Sequence, residues 1–433
     1  MTYPLTLVFI WLVFWRPQEW LFPWMFGWPL LEVIGFVALL TLALELHQGS
    51  AKFPKTPALM LAVGLWFASL MSHVAHLYFQ GLLDTYQETF KISLLLVLLL
   101  VVISSINRAR GVVLMFVLAA VVMSVHALLQ QQTGVGLGGG RPLIWLNEVT
   151  LKWIQQSQFF GIFEDPNDLG QILLTAMPLV FAFPRRLNPV SFLSAAAVVW
   201  LIGAALLTTR SRGSVVGVVA MVACTVFMKL PARWLPYAAA LGLIAGLAMC
   251  AFGSSTLLDE SARDRVVFWG EANQAFKANP LFGIGYGMFA DITDESRAAH
   301  NAYVCCYTEL GFFGYWCWFN LLSLGLIGCW RTRMAFRRPR TVVQAYLKRL
   351  SGLSIASMAG FAASSYFISR AYVYPFFFLF GLLNAIPVIA QSRLPEDHPP
   401  LLDVRKDIVL TGTFATAASI VYVYFTILIL NRM

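Results

Sequence analysis

Apolar runs recur along almost the whole chain, separated by short stretches rich in Arg, Lys, Pro and Gly. A run of roughly 17–25 residues is long enough to cross the hydrocarbon core of a bilayer as a helix. On that criterion the predicted spans lie near 4–15, 28–46, 58–77, 89–106, 111–130, 168–184, 190–208, 213–229, 235–252, 303–330, 351–368, 372–391 and 408–429. Thirteen is a ceiling, because the first run is short and several ends are soft. The expectation is an all-α, polytopic transmembrane helical bundle of about 12 TM helices, forming one membrane domain over 1–433. Residues 1–6 carry no basic segment and no small-residue cleavage site follows, so the first helix is expected to stay.

Composition removes the soluble alternative. Hydrophobic residues make up 59% and charged residues 12%, against roughly 45–50% and about 25% in soluble proteins. The charges that remain report orientation, because Lys and Arg accumulate in short cytoplasmic loops. Alternate loops carry Lys52 and Lys55, Arg108 and Arg110, Arg185 and Arg186, Lys229 and Arg233, and finally Arg331, Arg333, Arg337, Arg338, Arg340, Lys348 and Arg349. These mark the cytoplasmic side, and the N-terminus with it. The two longest loops, 131–167 and the larger 253–302, then fall on the periplasmic side, the second carrying short interfacial helices. The net charge of +9 is mostly topology and calls for no nucleic acid partner. Residues 393–407 mix both signs and leave the side of the C-terminus open. The six cysteines sit in apolar stretches without a CxxC or metal spacing and read as packing residues. No internal repeat points to an inverted-repeat transporter.

Basic residues on the outward side work against this bias and need another cause. They are Arg16, Arg141, Lys152, Arg210, Arg212, Arg263, Arg265, Lys277, Arg297 and Arg370. In Thr208-Thr209-Arg210-Ser211-Arg212-Gly213-Ser214, two guanidiniums stand at a turn with hardly any loop. Arginine presents a rigid fork of donors suited to phosphate oxygens, and the helix beginning at Gly213 adds N-terminal amides to an anion site. Snorkelling at the interface is the plainer alternative for both. A second segment, Ser261-Ala262-Arg263-Asp264-Arg265-Val266-Val267-Phe268-Trp269, continues to Phe276 with positions 265, 269, 272 and 276 on one helical face. It predicts a short amphipathic helix at the outer interface with Arg265 beside Trp269. An anchor helix with basic flanks explains its aromatics, and explains the paired Arg263 and Arg265 less well.

A third segment, His300-Asn301-Ala302-Tyr303, opens a long apolar helix, where an imidazole of ordinary pKa about 6.5 suits a proton acceptor. A lone histidine is more often structural. Glu309, nine residues on, is expected on the opposite helical face, a poor orienting partner for His300. In the fourth, residues 161–170, Asp165 before Pro166 reads as an N-cap with proline at the first helical position. The sharper reading gives Glu164, Asn167 or Asp168 a role in orienting sugar hydroxyls or a catalytic group. A hard cation is the lesser alternative, since no second acidic cluster completes a cage. The glycine-rich run before Arg141 lacks the strand, helix and Lys-Ser/Thr ending of a phosphate loop and is expected to be a flexible external lid.

In this order the four segments resemble the O-antigen ligase and polymerase superfamily of bacterial envelope enzymes. The resemblance rests on residues 163–170 with their Pro-Asn core, on Ser211-Arg212-Gly213, on Arg265 with Trp269 followed by Asn279-Pro280-Leu281-Phe282-Gly283-Ile284-Gly285, and on His300-Asn301 followed by Glu309-Leu310-Gly311 and Gly314. It covers residues 160–320 and implies a GT-C-like membrane glycosyltransferase in the bacterial inner membrane. Such an enzyme moves glycan from undecaprenyl diphosphate to an acceptor hydroxyl at the periplasmic face. It further implies that Arg212 and Arg265 grip the diphosphate and that His300 serves as base. Arg210, Arg263, Asn301, Asn167, Asp168, Glu164 and Trp269 are expected to bind substrate. Fixed guanidiniums can stabilise a leaving diphosphate in a low-dielectric site, so no metal cofactor is expected. The partners implied are the undecaprenyl-diphosphate-linked glycan, membrane lipids and lipid A-core, the last favoured because no soluble domain is appended to bind a protein acceptor. The segment around Glu164 and Asp168 is more acidic than the usual form, which leaves its role open.

A polymerase or a protein O-oligosaccharyltransferase of the same family shares these motifs. An anion transporter is the rival from another class. It should place ionisable groups at the bilayer midplane, whereas here they crowd one boundary. A scaffold would leave His300 unexplained.

Overall fold

A bilayer interior offers the backbone no water, so every N–H and C=O must be satisfied within the chain, and helices do this locally. The computed structural model describes residues 1–147, 151–184, 188–230, 232–234, 237, 260–293 and 298–430. Its helices are α1 (Thr2–Trp15), α2 (Leu30–His47), α3 (Ala58–Val74), α4 (Phe79–Val102), α5 (Ile106–Thr133), α6 (Pro166–Val180), α7 (Pro189–Thr208), α8 (Arg212–Phe227), α9 (Glu260–Ala278), α10 (Ala302–Ala335), α11 (Val342–Ser364), α12 (Tyr374–Gln391) and α13 (Thr413–Leu430). Among the described residues, seven helical segments are long and apolar enough to cross a membrane: α2, α4, α5, α7, α10, α12 and 404–428. The shorter α1, α3 and α8 are also apolar. Every predicted span except 235–252, which lies mostly outside the described residues, meets a helix.

Several helices begin earlier or end later than the apolar runs. Helix α11 starts at Val342, so Lys348 and Arg349 belong to it, and α10 runs on to Ala335 through Arg331 and Arg333. Arginine and lysine stems lie along a helix end while their charges reach out, so hydropathy alone places these boundaries too far in. Long polar pairs also hold the basic end together. Arg331 binds Asp407 through two oxygens at 2.6 and 2.7 Å, and Arg333 donates to the Met228 carbonyl at 3.0 Å. Asp407 precedes α13, whose Tyr424 carbonyl is reached by Asn273 of α9. That last helix therefore runs from the basic end to the opposite one.

Lipid tails are as apolar as leucine, so close backbone packing replaces the hydrophobic effect between such helices. Helices α8 and α11 meet at Gly217 and Gly360, where a Cβ on Gly217 would lie 2.7 Å from the Gly360 carbonyl oxygen. Leu174 of α6 fills the same contact. Phe116, Phe378 and Phe14 stack in the centre, joining α1, α5 and α12. Of the described cysteines, Cys305, Cys306, Cys317 and Cys329 are buried as packing residues.

One departure from an all-helical chain is a small antiparallel hairpin, β1 (Leu143–Asn147) with β2 (Lys152–Gln156), pairing Leu143 with Gln156. The glycine-rich run before it is no loose lid. Its Gly136 N–H donates to the Gly140 carbonyl at 2.7 Å, and Gly138 presses on Trp20. Gly136 and Gly140 leave room for the His126 ring. The glycines serve close approach, which composition alone reads as flexibility.

Candidate functional site at the end opposite the basic loops

Helix α10 is interrupted. Gly311 has φ 64°, ψ −166°, which breaks the hydrogen-bond ladder in the middle of an apolar segment. The loop from Asn279 to Gly285 repairs it. Phe312 and Phe313 N–H groups donate to the Pro280 and Leu281 carbonyls, while Ile284 and Gly285 donate to those of Thr308 and Glu309. Non-helical backbone at membrane depth is tolerated only where protein satisfies it. Gly283, at φ +71°, is required twice over, because a Cβ there would lie 2.3 Å from the Glu309 backbone. The 279–285 and 309–311 motifs are thus two halves of one joint. Glu309 is buried and accepts from the Phe289 N–H in the loop beyond. It serves the joint.

Two motif residues stand in the left-handed region, where a side chain costs roughly 1–2 kcal/mol. Arg210 has φ 53° and His300 φ 47°. Each immediately precedes a helix cap. Ser211 caps α8 by accepting from Ser214, and the carbonyls on the other side of the turn are held by the hairpin, Gln156 on Thr209 and Ser157 on Thr208. Asn301 caps α10 by accepting from Tyr303 and Val304 at 3.0 and 3.2 Å. Its Nδ2, fully buried, meets no acceptor among the described residues. Strained residues held by their surroundings concentrate at functional sites.

The element that joins these segments is the connector between α11 and α12, residues 365–373. Asp168, buried in the first turn of α6, pairs with half-exposed Arg370 at 2.9 Å. Gln171, one turn on, donates to Ser364 and Ser365 at 3.0 and 2.9 Å. Gly213 of α8 abuts Phe367 and the Ser364 carbonyl. The His300 N–H donates to Ser369. Tyr366 meets the Trp269 ring at 5.9 Å and the Tyr303 ring at 6.2 Å. The N-termini of α6, α8 and α10 therefore gather around one short connector, which α12 leaves. Their partial positive ends favour an anion in front of them.

Individual residues fall as follows. Arg212 and Arg210 are exposed at this end of the bundle. Asp165 is the expected N-cap, accepting from the Asn167 N–H at 2.7 Å. Asn167 is half-buried and Glu164 exposed. Asp168 faces Arg370, not open solvent. Among the described residues no three acidic, His or Cys side chains come together as a metal-holding group. The side chains of Arg263 and Arg265 lie outside the described residues, as does Arg297.

Helix α9 forms where the amphipathic one was expected, and its aromatic face turns inward. Its Trp269 is buried and donates to the Ala299 carbonyl at 2.6 Å, one residue before His300. Phe276 packs on Tyr307, whose hydroxyl donates to Asn273 at 2.7 Å. The aromatic face lies on α10 instead of on lipid. Sequence reasoning missed Ser369, Tyr366 and Gln171 and gave Arg370 no role. The only available signal was a polar, arginine-bearing stretch squeezed between two apolar runs.

These elements coincide with a family match. Residues 197–319 match the model described as O-antigen ligase, taking in the Arg210–Arg212 turn, α9, the 279–285 loop and His300. Residues 161–170 fall outside it. No curated protein matches the chain. Over residues 197–319, then, this chain is similar to the O-antigen ligase family.

Proposed function

We propose that the protein is a glycosyltransferase that moves O-antigen polysaccharide from undecaprenyl diphosphate to a sugar hydroxyl of lipid A-core at the periplasmic face of the inner membrane. About a dozen helices cross the bilayer in this reading, as roughly 20-residue apolar segments permit. The observation that carries it is the convergence of three helix N-termini, with Asn301, on one connector that bears Arg370, at the end away from the basic loops. A site of that kind suits a diphosphate: dipoles and guanidiniums are fixed in place before charge develops.

In the step itself, His300 takes the proton of the acceptor hydroxyl. Its oxygen attacks the anomeric carbon with inversion, and the bond to the diphosphate breaks, leaving the electron pair on an oxygen held by Arg212 and Arg265. Arg370, oriented by Asp168, adds a third cation. The buried amide of Asn301 is placed to donate to a substrate oxygen. Titrating purified protein with undecaprenyl diphosphate and with the monophosphate tests the clamp. Wild type should prefer the diphosphate by about tenfold or more, the weight of a charge-assisted bond pair, and Arg212→Ala should lose that preference. Equal preference in both proteins would overturn the assignment.

A further inference from the structure

At the basic end of the bundle a cavity of about 560 Å³ opens between the start of α5, the segment after α6 and the start of α11. Arg110, Arg340, Arg349 and Tyr346 line it beside Phe183 and Pro184, and among the described residues no lining residue is acidic. The Arg110 and Arg349 guanidiniums lie over the Tyr346 ring, 5.6 and 5.5 Å from its centroid. Arg349 also donates to the Pro184 and Ala182 carbonyls at 2.8 and 2.9 Å, closing one wall. Tyr346 is 8% exposed, yet its hydroxyl has no hydrogen-bond partner among the described residues. A buried hydroxyl left unpaired is costly unless something else satisfies it. The N-terminus of α11, capped by Thr341, forms part of the same rim and contributes positive potential.

We propose that this cavity binds the headgroup of an anionic phospholipid, with Arg110 and Arg340 donating to the phosphate and the Tyr346 hydroxyl supplying a third donor. Exposed Arg110 and Arg340, with no acid among the described lining residues, call for an anion. Aromatic and proline walls directly beside them suit the glycerol and first acyl carbons of a lipid better than a free ion. The position fits as well, because basic pockets between spanning helices at the cytoplasmic side are where acidic headgroups settle. Arg349 positions the wall, while Arg110 and Arg340 are exposed, long enough in side chain to reach the ligand.

The test uses the full chain, delipidated in a neutral detergent, with added phosphatidylglycerol, phosphatidylethanolamine or inorganic phosphate. Native mass spectrometry counts bound lipid, and thermal unfolding reads stabilisation. Phosphatidylglycerol should bind one-to-one and raise the Tm. Arg110→Gln and Arg340→Gln should each weaken binding about fivefold, and the double variant about 25-fold. Tyr346→Phe keeps the ring and its stacking, so it should leave the lipid-free Tm unchanged while weakening the lipid. The proposal fails if the three variants bind phosphatidylglycerol as wild type does, if phosphatidylethanolamine stabilises equally, or if inorganic phosphate alone gives the full shift.

Discussion

Gly283 and Gly287 offer a matched pair for testing the joint that supports the site. Both have positive φ, +71° and +74°, but a Cβ on Gly283 would sit 2.3 Å from the Glu309 backbone while one on Gly287 meets nothing within 4 Å. Alanine at Gly287 should cost only the left-handed strain, roughly 1–2 kcal/mol. Alanine at Gly283 adds displacement of a packed backbone, another ~1–3 kcal/mol, and loosens the hydrogen bonds that replace the helix ladder at Gly311. At roughly 2 °C per kcal/mol, the lower end for domains of up to about 250 residues, Gly283→Ala should unfold some 4–10 °C early. Gly287→Ala should unfold about 2–4 °C early. Tryptophan fluorescence during a thermal ramp in detergent reads both. Equal shifts for the two variants would mean that the 279–285 loop does not seat in the break in α10.

Arg212→Ala and Arg265→Ala should each abolish glycan transfer in protein that still inserts and runs as a single species on gel filtration. Arg265→Lys should also lose most activity, because an ammonium lacks the bidentate fork. Asp168→Asn should barely move the Tm, since the relief of a buried carboxylate offsets the loss of its pair with half-exposed Arg370. Its kcat should nevertheless fall roughly 10- to 100-fold through a misplaced Arg370, and an unchanged kcat would remove Arg370 from the site. If His300 acts as base it must be neutral, so the transfer rate should fall toward acid pH, measured as an initial-rate profile. The residual rate of His300→Ala should lack that limb.

The apolar helices were legible because the bilayer forces long apolar runs. Helix ends were not, as the charged turns at Arg331 to Ala335 and Val342 to Arg349 show. Asp165 announced its cap through the proline that follows. The joint between 279–285 and 309–311 was visible as two motifs, but nothing local says that Gly311 breaks a helix or that a distant loop fills the gap. The connector at 365–373 went unread for a similar reason: its partners Asp168, Gln171, Gly213 and His300 lie far away in sequence. Trp269 looked like a lipid anchor because an aromatic stripe has the same spacing whether it faces lipid or another helix.

The most direct measurement of the central claim is transfer by purified protein given undecaprenyl-diphosphate glycan together with lipid A-core, EDTA present and His300→Ala alongside. Glycan on lipid A-core with the wild type alone is the expected result. Lengthening of the undecaprenyl-linked glycan would make the protein a polymerase, and wild-type-level transfer by His300→Ala, or none to either acceptor by the wild type, would contradict the proposed chemistry.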